Sequence, residues 1–169
     1  MERKRGQMNR KTVRLQEYDY NTAGVYFLTL CTEKRRCILS RIVGTGVLDG
    51  PQIELLPVGA IADKYLRQLN DFYENLSVES YVIMPNHMHL LLQVKEGPSR
   101  TPVPTLQNST VSRFVSTFKR FCNREYGTNV WQRGAYDHII RDQADFDKHI
   151  QYIYENPFGW QKDEYYSAE

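Results

Sequence analysis

The side chains of this chain that are best suited to chemistry are two histidines separated by one residue, His87 and His89. They follow Pro85-Asn86, where one apolar run stops and an alternating one begins, and this pattern predicts two strands joined by a tight turn. Residues i and i+2 of a strand share a face, so both imidazoles project together while Met88 points into the core. Adjacent imidazoles suit a divalent metal ion. The alternative is an ordinary strand that carries two of the chain's four histidines.

Composition is ordinary for a soluble protein, since 41% of the 169 residues are hydrophobic and 25% are charged, and the length suits one domain. No apolar stretch approaches a membrane span, and no apolar segment follows the basic N-terminus, as a secretory signal requires. Cys31, Cys37 and Cys122 form no CxxC pair, which favours reduced thiols and a cytoplasmic location. A zinc site built on Cys31 and Cys37 lacks a second ligand pair at a known spacing.

Charge is distributed unevenly behind a net value of +2. The first 14 residues carry one acidic side chain, Glu2, and six basic ones: Arg3, Lys4, Arg5, Arg10, Lys11 and Arg14. Such an arm suits a partner with a phosphate backbone, although a solubilising tail has the same composition. We therefore predict a basic arm over residues 1–16, one domain over 17–160 and a C-terminal tail over 161–169.

Alternation of strand and helix patterns predicts an α+β domain, in which helices pack mainly on one face of an antiparallel sheet. The predicted strands cover residues 25–31, a partner at 37–43, 53–56, a hairpin at 78–94, and 136–141. The predicted helices cover residues 58–73, 109–126 and 143–155, and Pro157 is expected to stop the last of them. Residues Ile61, Tyr65, Leu69 and Phe72 recur at helical spacing in the first helix.

The second predicted helix has two distinct faces. Its expected buried stripe consists of Val111, Phe114, Val115, Phe118, Phe121 and Cys122. Arg113, Arg120 and Arg124 fall on the opposite face, which either meets solvent or contacts phosphates.

The last predicted helix places Tyr152 and Asn156 one turn apart on a polar stripe that also contains Asp145 and His149. Tyr154 falls instead with Phe146, Ile150 and Ile153, so we expect it to point into the core. A tyrosine hydroxyl can attack phosphorus, but its pKa near 10 calls for activation, which a metal ion can supply. Asn156 could offer that metal an oxygen ligand. Alternatively, Tyr152 is one of twelve tyrosines, half-buried at a helix edge.

Four groups of residues, two of which contain the histidines and Tyr152, carry a resemblance to a known family. They are Tyr18-Asp19-Tyr20 with residues 24–32, residues 84–90 around the histidine pair, Trp131-Gln132-Arg133 with residues 136–141, and residues 152–157. In this order the chain resembles the IS200/IS605-like single-tyrosine transposases of the HUH superfamily. It is most similar to the branch of REP-associated tyrosine transposases, which accompany repetitive extragenic palindromes.

The resemblance implies a ferredoxin-like or RRM-like fold and Mg²⁺ or Mn²⁺ bound by His87 and His89. It implies that Tyr152 becomes joined to a DNA 5′ phosphate and leaves a free 3′ hydroxyl. Insertion-sequence members commonly carry Gln as the third ligand, one helical turn after the tyrosine, and Asn156 stands there in this chain. His138 belongs to the characteristic segment Asp137-His138-Ile139 but not to the core motif, and we interpret it as structural.

The leading hypothesis is therefore metal-dependent cleavage and strand transfer of single-stranded DNA, with recognition of a hairpin. The basic arm and the arginines of the second helix would hold the DNA backbone. A hairpin-binding or single-strand-binding protein without catalysis, a replication-initiator-like HUH endonuclease and an enzyme acting on a small phosphoester are the alternatives. We expect no membrane association, and either a monomer or a homodimer.

Overall fold

The computed structural model describes residues 22–44, 50–95 and 109–167. Its strands are β1 (Gly24–Cys31), β2 (Ser40–Val43), β3 (Gln52–Leu55), β4 (Leu76–Ile83), β5 (His87–Val94) and β6 (Tyr136–Ile139). Its α-helices are α1 (Pro57–Phe72), α2 (Thr110–Tyr126) and α3 (Gln143–Glu155), and short 3-10 helices cover Glu33–Arg35 and Asn156–Lys162. The predicted basic arm lies outside the described residues. Within the described ranges, no helix has the length and apolar character needed to cross a membrane.

Four strands form the main sheet in the order β4-β5-β1-β6, and each neighbouring pair is antiparallel. The predicted hairpin is confirmed as β4 and β5. The predicted pairing of residues 37–43 with the first strand is wrong, because β5 and β6 already occupy both edges of β1. Instead β2 pairs with β3 in a separate two-stranded sheet.

The two faces of the main sheet carry different helices. One face presents Tyr26, Leu28, Met88 and Leu90 to the larger hydrophobic core, which also includes the buried residues of α1 and α2. The other face packs α3 through a smaller cluster that includes Ile153. The expectation of an antiparallel sheet with helices mainly on one face is confirmed, since two of the three α-helices described lie together.

Helix ends and stripes follow local chemistry. Ser109 caps α2 by accepting a hydrogen bond from Ser112 N, and Gly127 ends the helix with a left-handed φ of 87°. The predicted buried stripe of α2 is confirmed, with Phe121 only partly buried. Of the four apolar residues at helical spacing in α1, Leu69 is buried, Ile61 and Tyr65 are partly buried, and Phe72 is 77% exposed. The buried face of α1 contains Ala62, Leu66 and Leu69.

A close backbone approach holds α1 against the turn that precedes β5. Leu39 N donates to Pro85 O at 3.0 Å, and Leu39 O accepts from Leu56 N at 2.9 Å. A Cβ atom on Gly59 would lie 1.9 Å from that same Leu39 oxygen. Glycine is therefore required in the first turn of α1, where the helix passes the segment that supports the β4–β5 turn.

We predict that Gly59→Ala lowers the free energy of unfolding, by about 1–3 kcal/mol, the usual cost of forced overpacking. Alanine is the better helix former by about 1 kcal/mol, so the clash has to outweigh that gain. Chemical denaturation measures the change. Gly159→Ala is the matched control, because no atom lies within 4 Å of its added Cβ. Equal stability of the two variants would contradict the close approach.

Candidate active site

The histidine pair lies on the face of β5 that α3 covers, opposite to Met88 in the main core. His87 pairs across the sheet with Cys31 and His89 with Thr29. Their common face was predicted, and the structure confirms it, since their imidazole Nε2 atoms are 3.1 Å apart. The sequence analysis gave no indication of how deeply they are buried. His87 is 0% exposed and His89 is 2% exposed, so each contributes to packing as well as to the site.

Each imidazole is oriented by a hydrogen bond at its other nitrogen. Nδ1 of His87 lies 2.9 Å from Asn86 Oδ1, which can only accept, so this nitrogen carries the proton. Nδ1 of His89 lies 2.8 Å from Thr29 Oγ1, an atom that can accept in the same way. These partners fix the rings with both Nε2 atoms directed at one point, which is the usual arrangement of metal-binding histidines.

Burial also keeps the imidazoles uncharged. Burial and the neighbouring His89 lower the pKa of His87 to about 2. Burial, followed by the charge of His149, lowers the pKa of His89 to about 3. Both side chains are therefore neutral near pH 7 and have a nitrogen lone pair available, as a metal ligand requires.

Tyr152 reaches this pair from α3. Asp142 caps that helix through its side chain, which accepts from Asp145 N. The ring of Tyr152 lies 5.1 Å from the ring of His89 and meets it edge-on, and Phe27 lies 5.9 Å away on the sheet. Burial, and then the charge of Asp163, raise the pKa of the Tyr152 hydroxyl above its usual value. The phenol is thus protonated near neutral pH and would need activation as a nucleophile.

The prediction that Tyr154 points into the core is wrong, because its side chain is 74% exposed and contacts Phe158. The buried face of α3 runs through Ile153 and Asn156 rather than through Tyr154. The sequence analysis counted only apolar residues, so it placed the centre of that face too far toward Tyr154. The separation of the two tyrosines still holds, since Tyr152, unlike the exposed Tyr154, contacts the ring of His89.

Asn156 follows the last residue of α3, is 5% exposed, and begins the second 3-10 helix. It raises the pKa of His87, against the stronger effect of burial, so its carboxamide lies beside that imidazole. Its Nδ2 lies 3.4 Å from Asp163 Oδ2. Its Oδ1 is buried without a hydrogen-bond donor among the described residues. A buried oxygen in this position is free to bind a cation.

Asp163 is a site residue that the sequence analysis did not identify. Its carboxylate lies with the ring nitrogens of His87 and His89 in a group whose ligand atoms are all within 4.8 Å of one another. Burial raises the pKa of this carboxyl group. Helical periodicity could not have found it, because Asp163 follows a 3-10 helix that reverses the chain after Pro157.

Residues 163–167, which belong to the predicted C-terminal tail, form a cover over His87. The ring of the buried Tyr165 lies 4.6 Å from the ring of His87. The guanidinium group of Arg35 lies 4.8 Å from the centre of the same Tyr165 ring. Asn86 Nδ2 donates to Tyr165 O at 2.7 Å, so the residue that orients His87 also holds the cover.

The three predicted DNA-binding arginines of α2 are not brought to the histidine pair. Arg113, Arg120 and Arg124 are exposed on α2, which packs on the opposite face of the sheet. The six basic residues of the arm lie outside the described residues. Their roles stay predictions.

Comparison with known proteins identifies the family to which this chain belongs. The model of the family "Transposase IS200 like" matches residues 58–156, which is more than half of the chain. The chain therefore belongs to the IS200-like transposase family. It is 28% identical to an uncharacterized protein of Haemophilus influenzae over 94% of this chain and 93% of that protein. It is 31% identical to the REP-associated tyrosine transposase of Escherichia coli, over 50% of this chain and 47% of that protein.

A solved structure of a REP-associated tyrosine transposase bound to a REP hairpin has a similar fold. The TM-score is 0.57 at 20% identity, and the match covers 80% of this chain and 67% of that one. The resemblance on which the sequence analysis relied is confirmed at the level of the family.

We predict that Tyr165→Ala exposes His87 to diethylpyrocarbonate, which modifies neutral imidazoles. Peptide mass spectrometry should show faster carbethoxylation of His87 in this variant than in the wild-type chain. Tyr126→Ala removes a tyrosine that is 41% exposed at the end of α2 and serves as the control. If His87 reacts at the same rate in all three proteins, Tyr165 does not cover it.

Proposed function

We propose that this protein cleaves and rejoins single-stranded DNA through a covalent link between Tyr152 and a 5′ phosphate. The proposal rests on the side chains that come together where α3 packs against β5. There, two neutral imidazoles with converging Nε2 atoms lie beside the ring of Tyr152 and a buried amide oxygen. Membership of the transposase family makes DNA the expected substrate.

The donor set fits a divalent metal ion. His87, His89 and the orphaned Oδ1 of Asn156 would be its protein ligands, as the sequence predicted, and the carboxylate of Asp163 is a fourth candidate. Two nitrogen and two oxygen donors suit Mn²⁺ well and are acceptable to Mg²⁺, which prefers oxygen. The bound ion would polarise a phosphoryl oxygen of the scissile group as a Lewis acid.

The chain's own contribution to cleavage is a positioned nucleophile. The Tyr152 oxygen attacks phosphorus and forms a new P–O bond, the bond from phosphorus to the 3′ oxygen breaks, and the phenolic proton is lost to solvent. The departing 3′ oxygen takes up a proton and becomes a free hydroxyl. Attack by a 3′ hydroxyl on the phosphotyrosine reverses these steps and restores the tyrosine, so strand joining requires no nucleotide cofactor.

Hairpin DNA is the proposed recognition element, because one fold relative is described as bound to a REP hairpin. The basic arm, with Arg113, Arg120 and Arg124 on α2, would contact DNA phosphates away from the histidine pair. A binding protein without catalysis would have no use for an orphaned amide oxygen beside two oriented imidazoles. A small-phosphoester enzyme would have no use for the basic arm.

Tyr152→Phe removes one oxygen and should eliminate the covalent protein–DNA adduct formed with single-stranded hairpin DNA and Mn²⁺. The ring is retained, so hairpin binding and thermal unfolding should change little. A denaturing gel detects the adduct. Tyr154→Phe, two residues away on an exposed site, is the control and should retain it. An adduct formed by Tyr152→Phe, or lost in Tyr154→Phe, would contradict the assignment of the nucleophile.

Asp163→Asn should raise the Mn²⁺ concentration needed for half-maximal adduct formation, because a neutral amide binds a cation more weakly than a carboxylate. We expect this Mn²⁺ concentration to rise roughly 10-fold or more, because loss of a group that supports a bound metal typically lowers metal affinity by at least that factor. Glu164→Gln removes the neighbouring, exposed carboxylate and should leave the Mn²⁺ dependence unchanged. Identical Mn²⁺ curves for Asp163→Asn and the wild type would exclude Asp163 as a ligand.

Deletion of residues 1–14 should weaken hairpin binding and flatten its dependence on salt, because fewer counterions are released on binding. Fluorescence anisotropy at several salt concentrations gives the slope of the logarithm of affinity against the logarithm of salt. An unchanged slope would mean that the arm is only a solubilising tail. Replacing Arg113, Arg120 and Arg124 together by Gln tests the face of α2 in the same assay.

A further inference from the structure

The four histidines of the chain form two separate pairs, and the second pair has no part in the proposed chemistry. His138 lies on β6 at the edge of the main sheet, and His149 lies on α3. Their rings are stacked 4.8 Å apart with an interplanar angle of 21°. Asp145, one turn before His149 on α3, contacts both rings. His138, which the sequence led us to interpret as structural, therefore belongs to a group of potential metal ligands.

Two separations within this group are close to those of ligands around one ion. His138 Nε2 lies 2.9 Å from Asp145 Oδ2, and His149 Nδ1 lies 3.2 Å from Asp145 Oδ1. All three ligand atoms are within 4.8 Å of one another. Tetrahedral zinc with bonds of about 2.0–2.1 Å holds its ligand atoms roughly 3.3 Å apart. Only small side-chain shifts would be needed to place an ion between them.

The surroundings favour a carboxylate that is ready to bind. A hydrogen bond from His138 is the largest effect lowering the pKa of Asp145, and Arg141 N, which donates at 3.2 Å, contributes as well. Asp145 also stays in position through the Asp142 cap at the start of α3. His138 is 45% exposed, so an ion has access from solvent, whereas His149 and Asp145 are only 16% and 20% exposed. Such a half-open site keeps a fourth position for water.

Phe27 separates this group from the candidate active site. Its ring centre lies 4.6 Å from that of His149 and 5.1 Å from that of His89 on its other side. The two groups also differ in chemistry, because the second has two imidazoles and one accessible carboxylate but no amide oxygen. This donor set favours Zn²⁺, Co²⁺ or Ni²⁺ over Mg²⁺.

We propose that His138, Asp145 and His149 form a zinc site that joins the edge strand β6 to α3. Nδ1 of His149 now faces the carbonyl and carboxylate oxygens of Asp145, and zinc at Nδ1 would require the neutral tautomer that carries its proton on Nε2. Because His149 precedes Tyr152 by one turn of α3, the bound ion would fix the helix that presents this tyrosine. The zinc site itself does not depend on the proposed DNA chemistry, so each can fail without the other.

Zinc stoichiometry of the full-length chain tests the proposal. After equilibrium dialysis against buffered Zn²⁺, mass spectrometry of the metal content should give one equivalent less in His138→Gln and in His149→Gln than in the wild type. Glutamine keeps a polar partner for Asp145 and replaces an imidazole near the surface, so folding should persist, as circular dichroism can verify. Asp147→Asn, an exposed carboxylate on the same helix outside the group, is the control and should keep the full complement.

Cobalt provides a spectroscopic check on the same proteins. Co²⁺ bound to two imidazoles and a carboxylate in a four-coordinate site gives intense visible absorption, which should be lost in His138→Gln and retained in Asp147→Asn. Equal zinc stoichiometry and equal cobalt spectra in wild type and His138→Gln would overturn the proposal. The three residues would then be a hydrogen-bonded network only. Loss of zinc with normal formation of the DNA adduct would support this site and leave the proposed function intact.

Discussion

The alternation of side chains along β5 is the constraint on which the rest of the structure depends. This strand is paired on both sides, so its register is fixed, and every second residue must enter the main core. Met88, Leu90 and Leu92 enter that core, which forces His87 and His89 to the opposite face. A slip of one residue would exchange the two sets. The packing of the main core therefore sets the position of the imidazoles.

A second set of elements completes the site by covering the sheet face that carries the histidines. The end of α3 brings Tyr152 and Asn156, and the chain then turns through a 3-10 helix to bring Asp163 and Tyr165. Asn86 connects the two halves, because its Oδ1 faces His87 Nδ1 while its Nδ2 donates to Tyr165 O. The same residue thus fixes a ring nitrogen and the cover above it. Burial lowers the pKa of both imidazoles, which leaves a nitrogen lone pair available on each, and raises the pKa of the Tyr152 hydroxyl.

Periodicity in the sequence was sufficient to predict the β4–β5 hairpin, the three α-helices and the common face of the histidines. These features depend on strand and helix repeats that local sequence expresses directly. The pairing of β2 with β3 could not be predicted, since it follows from the occupied edges of β1 and not from the residues of β2. The prediction for Tyr154 was wrong because Asn156, a polar residue, is buried. A helix face defined by apolar residues alone leaves Asn156 out. Asp163 comes close to His87 only through the reversal after α3, for which the sequence shows no repeat.

We propose that the facing Nε2 atoms of His87 and His89 hold a metal ion together with Asn156. An anomalous difference map from crystals grown with Mn²⁺ tests it most directly. We expect a peak within coordination distance of both Nε2 atoms and of Asn156 Oδ1, beside the ring of Tyr152. A map with full Mn²⁺ occupancy elsewhere and none between these two nitrogens would contradict it.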